Sequence, residues 1–235
     1  MFAIFKKELR GYFTTPVGYI FVGIFLAAAA LICAFTTIQQ ASYNTSSYFQ
    51  YLIFTFIVLI PLLTMRSFSE ERKSRTEQLL LTAPVSIPAM VLGKLLAAYT
   101  MFAGAAVVCS LYFLFLYPFA VVKTTLLVGN VLALLLAGLA FTSVGLFVSS
   151  LTENQLAAAV GTVALLLAFL GIGLLNNLLP ANYWLRFVFG SLSLFSRFTM
   201  LTNGIFDIAS ILYYLSFSAV FLYLTMRVFD RRRYE

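Results

Sequence analysis

The sequence predicts an all-α, polytopic membrane protein with six transmembrane helices, an amphipathic amino-terminal interfacial helix and a re-entrant-like segment before the last span. Three observations predict it. Of 235 residues, 62% are apolar and 10% charged, against about 45–50% and about 25% in a soluble domain. So few charges cannot cover a chain this apolar in water, and its main solvent is lipid. The apolar residues also fall in unbroken runs, without the in–out alternation of a barrel strand. Finally, the basic residues collect between alternate runs, as a helical topology requires.

In residues 1–15, Phe2, Phe5, Leu9 and Tyr12 recur at helical spacing, with Lys6, Lys7 and Arg10 mostly on the other face. That pattern predicts a helix lying in the headgroup plane. The stretch has no short apolar core followed by a small-residue cleavage site, so a cleaved signal peptide is not expected. Thr15 before Pro16 predicts the start of the first span. Windows of about 20 mostly apolar residues, the length that crosses the hydrocarbon, fall at 17–38, 48–65, 89–117, 125–149, 156–175 and 208–226.

Placing the amino terminus in the cytoplasm gives that side Lys6, Lys7, Arg10, Arg66, Arg72, Lys73, Arg75, Lys94, Arg227, Arg231, Arg232 and Arg233. Only Lys123, Arg186 and Arg197 fall on the other side, a split of 12 to 3 among the 15 basic residues. The positive-inside rule thus predicts that both termini are cytoplasmic.

Residues 66–88 form the densest polar stretch, RSFSEERKSRTEQLLLTAPVSIP. Ser67 with Glu70 has capping-box spacing, which lets a helix continue or restart where the lipid ends. Thr76, followed by Glu77 and Gln78, predicts a second short helix over 76–82 that carries Leu79, Leu80 and Leu81 and stops at Pro84. Those leucines suit docking into a groove on another protein, or packing back against the spans. Residues 176–207 are apolar and aromatic but broken by Pro180, Asn182, Gly190, Asn203 and Gly204. Two short helices dipping into the outer leaflet are expected there, with Trp184, Phe187, Phe189, Phe195 and Phe198 at or below headgroup level.

Several chemistries are disfavoured. The chain has no His, the usual proton shuttle near neutral pH and the commonest nitrogen ligand of transition metals. Cys33 and Cys109 lie in apolar runs and read as small hydrophobes. Glu70, Glu71 and Arg75 make an EExxxR string like that of intramembrane CAAX-type proteases, but those enzymes also use histidines. A secondary transporter needs an ionisable site near the bilayer midplane, and every acid here falls at a span end or beyond. Lys94, near the start of the third span, is expected to snorkel out, and Asp207 to sit at the amino end of the last helix. There is no GxxxxGK(S/T) loop, so no nucleotide site or enzyme activity is expected of this chain.

The string FSEERKSRTEQLLLTAPVS after the second span resembles the cytoplasmic loop of ABC type 2 exporter permeases, whose usual form is close to EE(R/K)xxGTxxLLLTxPVS. The six-span layout, the interfacial helix and the segment before the last span are similar to that family over nearly the whole chain. The wording TEQLLLTAPVS further resembles its gliding-motility-type permease subgroup.

The resemblance implies one permease domain over 1–235, in a bacterial inner (cytoplasmic) membrane. Residues 76–82 would be a coupling helix seated on a separately encoded ABC ATPase subunit. Glu70 and Glu71 match the family's acidic pair, and Thr76, Leu79, Leu80, Leu81 and Pro84 its core, with Arg75 and Glu77 between them. Arg75 stands where glycine is usual, so the break between the two cytoplasmic helices is expected at a different place. Glu153, in the short loop 149–155, falls where the family has a smaller cytoplasmic contact. The implied partners are that ATPase, a second permease copy or a related permease, and membrane lipid, with no nucleic acid. This chain would bind no cofactor, and ATP and Mg would sit on the ATPase. Export of a substrate is the activity implied, and a non-transporting anchor of an ABC ATPase in an envelope or motility complex is the alternative.

Overall fold

The computed structural model describes residues 1–38, 45–78, 85–113, 124–178 and 193–234. Their order is α1 (Phe2–Thr14), α2 (Pro16–Cys33, ending in the π-helical turn Ala34–Ile38), α3 (Thr45–Thr64), α4 (Arg66–Lys73), α5 (Ile87–Ser110), α6 (Thr124–Leu151), α7 (Gln155–Leu178), α8 (Leu194–Thr202) and α9 (Ile208–Tyr234). In lipid a helix satisfies its own backbone groups, so long apolar runs become helices. Among the described residues six runs are long and apolar enough to cross a membrane: Pro16–Thr37, Thr45–Lys73, Ile87–Ser110, Thr124–Leu151, Gln155–Gly173 and Ile208–Arg233. Each overlaps one expected window. The third window was expected to reach 117, but α5 ends at Ser110 and residues 114–123 lie outside the described ones.

α1 joins α2 through an elbow at Thr15, whose backbone is extended. Pro16 then opens α2, where its missing N–H costs nothing. The Thr15 hydroxyl does not cap α2 but donates back to the Gly11 carbonyl at 2.8 Å. At Gly18 a Cβ would overlap the Tyr12 carbonyl, so the elbow closes only over glycine.

α6 is the centre of the bundle. In its most apolar stretch 67% of residues are buried, against 28% in the spans of α2, α7 and α9. Its buried face carries Ala133, Ala137, Gly138, Ala140, Ser143 and Gly145, and small residues let neighbouring helices approach closely. Gly138 faces the ring of Phe102, where a Cβ would collide. That ring meets Phe56 edge-on at 4.9 Å, and Phe56 stacks on Phe25 at 5.5 Å. One aromatic slab thereby joins α2, α3 and α5 against α6.

The described residues hold part of the segment expected to form two short helices before the last span. One helix of the segment, α8, lies among the described residues, while Pro180, Asn182, Trp184, Phe187, Phe189 and Gly190 lie outside them. Phe198, expected at or below headgroup level, is fully buried within the protein, and Phe195 packs on Phe54 at 5.7 Å. The reason is tertiary cover. Ser46 and Gln50 of α3 bond to Thr202 at 2.6 and 3.2 Å, and the Tyr214 hydroxyl of α9 donates to the Leu194 carbonyl at 2.8 Å. Asp207 caps α9 as expected, accepting from the Ala209 amide at 3.0 Å.

Candidate functional site

One end of the bundle collects α1, residues 65–78, the first turns of α5, the α6–α7 junction and the last turns of α9. These are the segments that six alternating spans bring to one side. The loop begins as a continuation of α3: Met65 keeps a right-handed helical conformation and α4 starts at Arg66. The helix continues past Ser67, one of the two outcomes expected there, but without the capping box: the N-cap of α4 is Met65 and no side chain of the loop caps it. Glu70 instead takes a two-pronged pair from Arg66, at 2.7 and 2.9 Å.

The first amides of a helix lack partners within it. Here the Ser149 hydroxyl of α6 accepts from the amides of Phe68 and Ser69, at 3.2 and 3.3 Å, and donates to the Met65 carbonyl at 3.1 Å. A side chain of the central span thus caps α4 from outside. At Gly145, one turn earlier on α6, a Cβ would strike Thr64, so the same close approach fixes the end of α3.

Lys94 does not snorkel. It is 2% exposed, with its ammonium 2.8 Å from Glu8, 2.9 Å from Glu71 and 2.7 Å from the Ser67 carbonyl. The Phe68 ring lies 5.1 Å away. The path to water is closed because α1 and α4 fold over the first turns of α5. Gly93 allows this, since a Cβ there would sit 3.2 Å from both Ile4 and the Met1 carbonyl. Lys7 adds a second cation 3.5 Å from Glu71. The buried ammonium thus donates two hydrogen bonds, to Glu8 and to the Ser67 carbonyl, and has a second carboxylate beside it, the pairing that offsets the cost of taking a charge out of water. Beside this cluster the Tyr12 hydroxyl donates to the Leu63 carbonyl at 3.0 Å. Burial pushes that phenol up to about 12, with the Glu8 charge adding to the rise and Ser67 and Arg66 opposing it.

A second set of ties holds the α6–α7 junction. Arg72 of α4 pairs with Glu153 at 2.9 Å and donates to the Leu151 carbonyl at 2.9 Å. Arg232 of α9 pairs with Glu77 at 3.1 Å and donates to the Ser150 carbonyl at 2.7 Å. Both arginines meet the carboxyl end of α6, where a helix presents unpaired carbonyls and negative potential. The rings of Phe68 and Phe229 meet at 4.7 Å beneath them.

The break after α4 falls at Arg75, contrary to the expectation that its arginine would move it. Arg75 takes φ 57, the one non-glycine residue with positive φ among those described. The chain needs a left-handed residue just past the helix end, and arginine adopts it at a cost of about 1–2 kcal/mol. Thr76 lies 2.9 Å from the Ser74 hydroxyl and donates to the Glu71 carbonyl, and the chain is helical again at Glu77 and Gln78. Leu79, Leu80, Leu81 and Pro84 lie outside the described residues.

Among the expected site residues, Glu70, Glu71, Arg75, Thr76, Glu77 and Glu153 are thus gathered at one pole. Lys94, Glu8, Ser149 and Arg232, which hold them there, were not expected as site residues. One signal pointed to the first pair: Glu8 lies four residues from both Ile4 and Tyr12, so an acid interrupts the inward face of α1. Among the described residues no group of three or more His, Cys, Asp or Glu side chains could hold a metal ion.

This is a polytopic helical membrane protein whose ionic network is concentrated at one end of the bundle. The chain belongs to the ABC-2 family transporter protein family, which it matches over residues 5–228. A search of curated proteins finds no match. Membership makes the chain a permease subunit of an ABC transporter, a class that is generally non-catalytic and associates with an ABC ATPase.

Proposed function

We propose that the chain is the permease subunit of an ATP-driven exporter of a bacterial inner membrane, with both termini and residues 66–88 on the cytoplasmic face. A separate ABC ATPase, which holds the ATP and Mg, seats on residues 76–82, and a second copy or a related permease completes the pathway. Among family members, the TEQLLLTAPVS wording favours the gliding-motility-type subgroup. The observation that carries this reading is the way α4 is fastened: to α6 through Ser149, to α5 and α1 through Lys94, and to the α6–α7 junction through Arg72. A displacement delivered at 76–82 therefore reaches α1, α5, α6 and α7 together, and through the Glu77–Arg232 pair it also reaches α9.

A partner shifts two membrane states only by as much as its contacts differ between them. The leucines after Gln78 would supply that contact, and the ionic ties would pass it on. The test is Leu79→Ala/Leu80→Ala/Leu81→Ala in the native assembly. The expected result is loss of the bound ATPase, or hydrolysis that no longer drives transport. A variant that keeps its ATPase and transports normally overturns the assignment.

A further inference from the structure

We propose that the outer face of α1 binds an anionic phospholipid of the bilayer, with Lys6 and Arg10 clamping its phosphate and Phe2 and Phe13 reaching into the acyl region. The face is defined by what α1 does with its other residues. Ile4, Glu8, Leu9 and Tyr12 turn inward: Ile4 meets Gly93, Glu8 pairs with Lys94, Tyr12 bonds to Leu63, and Leu9 packs on the core. Phe2 and Phe13 remain 74% and 54% exposed.

Two exposed rings on one stripe indicate lipid rather than water. Their side is fixed by a neighbour. Phe13 meets Tyr19 edge-on at 6.4 Å, and Tyr19 stands with Ile20 and Ile24 on the exposed apolar face of α2, a helix that spans the membrane. The Phe13 side of α1 therefore faces the hydrocarbon.

Lys6 and Arg10 border this stripe. They are one helical turn apart, both exposed, and line one shallow depression with Ala3 and Lys7. No ion pair reaches either among the described residues. Charge is sorted sharply here, because the adjacent acids, Glu8 and Glu71, turn the other way and are taken up by Lys94 and Lys7. What remains is two unpaired cations at headgroup depth beside two inserted rings. That arrangement is complementary to a lipid with net negative charge, and a zwitterionic headgroup would bring its own cation against them. The inference does not depend on the ATPase partner.

The test uses the full chain in detergent micelles, titrated with phosphatidylglycerol and with phosphatidylcholine of the same acyl chains and read by native mass spectrometry. A basic residue near an anionic surface is worth about 1 kcal/mol, so two give about a 30-fold preference for phosphatidylglycerol. Lys6→Gln/Arg10→Gln is expected to abolish the preference, while Lys6→Arg/Arg10→Lys and the distant Lys73→Gln preserve it. Equal binding of the two lipids, or an undiminished preference in the double glutamine variant, overturns the proposal. So does displacement of the lipid by equimolar glycerol 3-phosphate, which would mark a site for a soluble phosphate.

Discussion

Replacing Lys94 with methionine keeps the length of the side chain and removes its charge. Glu8 and Glu71, with side chains only 19% and 15% exposed, then face each other without the cation between them, and the Ser67 carbonyl loses its donor. Removing one member of a buried ion pair costs about 3–5 kcal/mol. Lys7 stays 3.5 Å from Glu71 but is 66% exposed, so its compensation is about 1 kcal/mol or less. The expected loss is about 3 kcal/mol, and at about 2–4 °C per kcal/mol for a chain of this size the unfolding midpoint falls by about 6–12 °C. The assay is thermal unfolding of the full chain in detergent, with Lys94→Met/Glu8→Gln/Glu71→Gln beside the single variant. The triple variant removes all three charges and should return to within about 1–2 kcal/mol of the parent, because a buried network replaced as a whole leaves no stranded charge. A single variant that unfolds within about 1 °C of the parent would refute the view that the ammonium is buried and paired.

Four further predictions follow the same geometry. Ser149→Ala should cost about 1–3 kcal/mol by stranding buried amides, seen as faster hydrogen exchange at Phe68 and Ser69, whereas Ser149→Thr keeps the hydroxyl. Arg75→Gly should raise stability by about 0.5–1 kcal/mol in chemical denaturation, since glycine accepts the left-handed backbone freely, and Arg75→Val should lower it. Gly18→Val should push α1 off the elbow and cost about 1–3 kcal/mol, read as proteolytic release of residues 1–14. The Tyr12 phenol stays neutral in the folded chain up to about pH 12 but ionises near 10 when exposed. The unfolded form thus binds fewer protons between those values, stability falls as pH rises from 10 to 12, and Tyr12→Phe should flatten that alkaline slope.

The spans were legible because the medium dictates them: a window of apolar residues in lipid has no alternative to a helix, and windows such as 125–149 and 156–175 sit inside α6 and α7. The elbow was legible from Thr15 and Pro16, whose backbone preferences are local. Legibility ended where one helix acts on another. Lys94 near the end of a span has the sequence of a snorkelling lysine, and only the folding back of α1 and α4 over α5 turns it into a buried hub. Ser67 and Glu70 have a spacing that allows a helix to continue or to restart, and nothing local decides between the two or reveals that Ser149 of α6 supplies the cap. Phe195 and Phe198 were expected at or below headgroup level, but the cover supplied by α3 and α9 could not be read, because it comes from residues about 150 positions before and 20 after. Arg75 could be flagged as an exception to a glycine pattern, but its consequence depended on whether the turn would move or the residue would bend.

The Lys94 cluster also sets an order on how the chain is made. Glu8 and Glu71 both precede Lys94, and chains fold from the amino end as they are synthesised. When the third hydrophobic segment is inserted, both carboxylates have already been synthesised, and the ammonium, close to the polar end of its helix, can stay in water until α1 and α4 close over it. A circular permutant that delivers Lys94 before either acid would leave the ammonium solvated for longer and form the same finished contacts last.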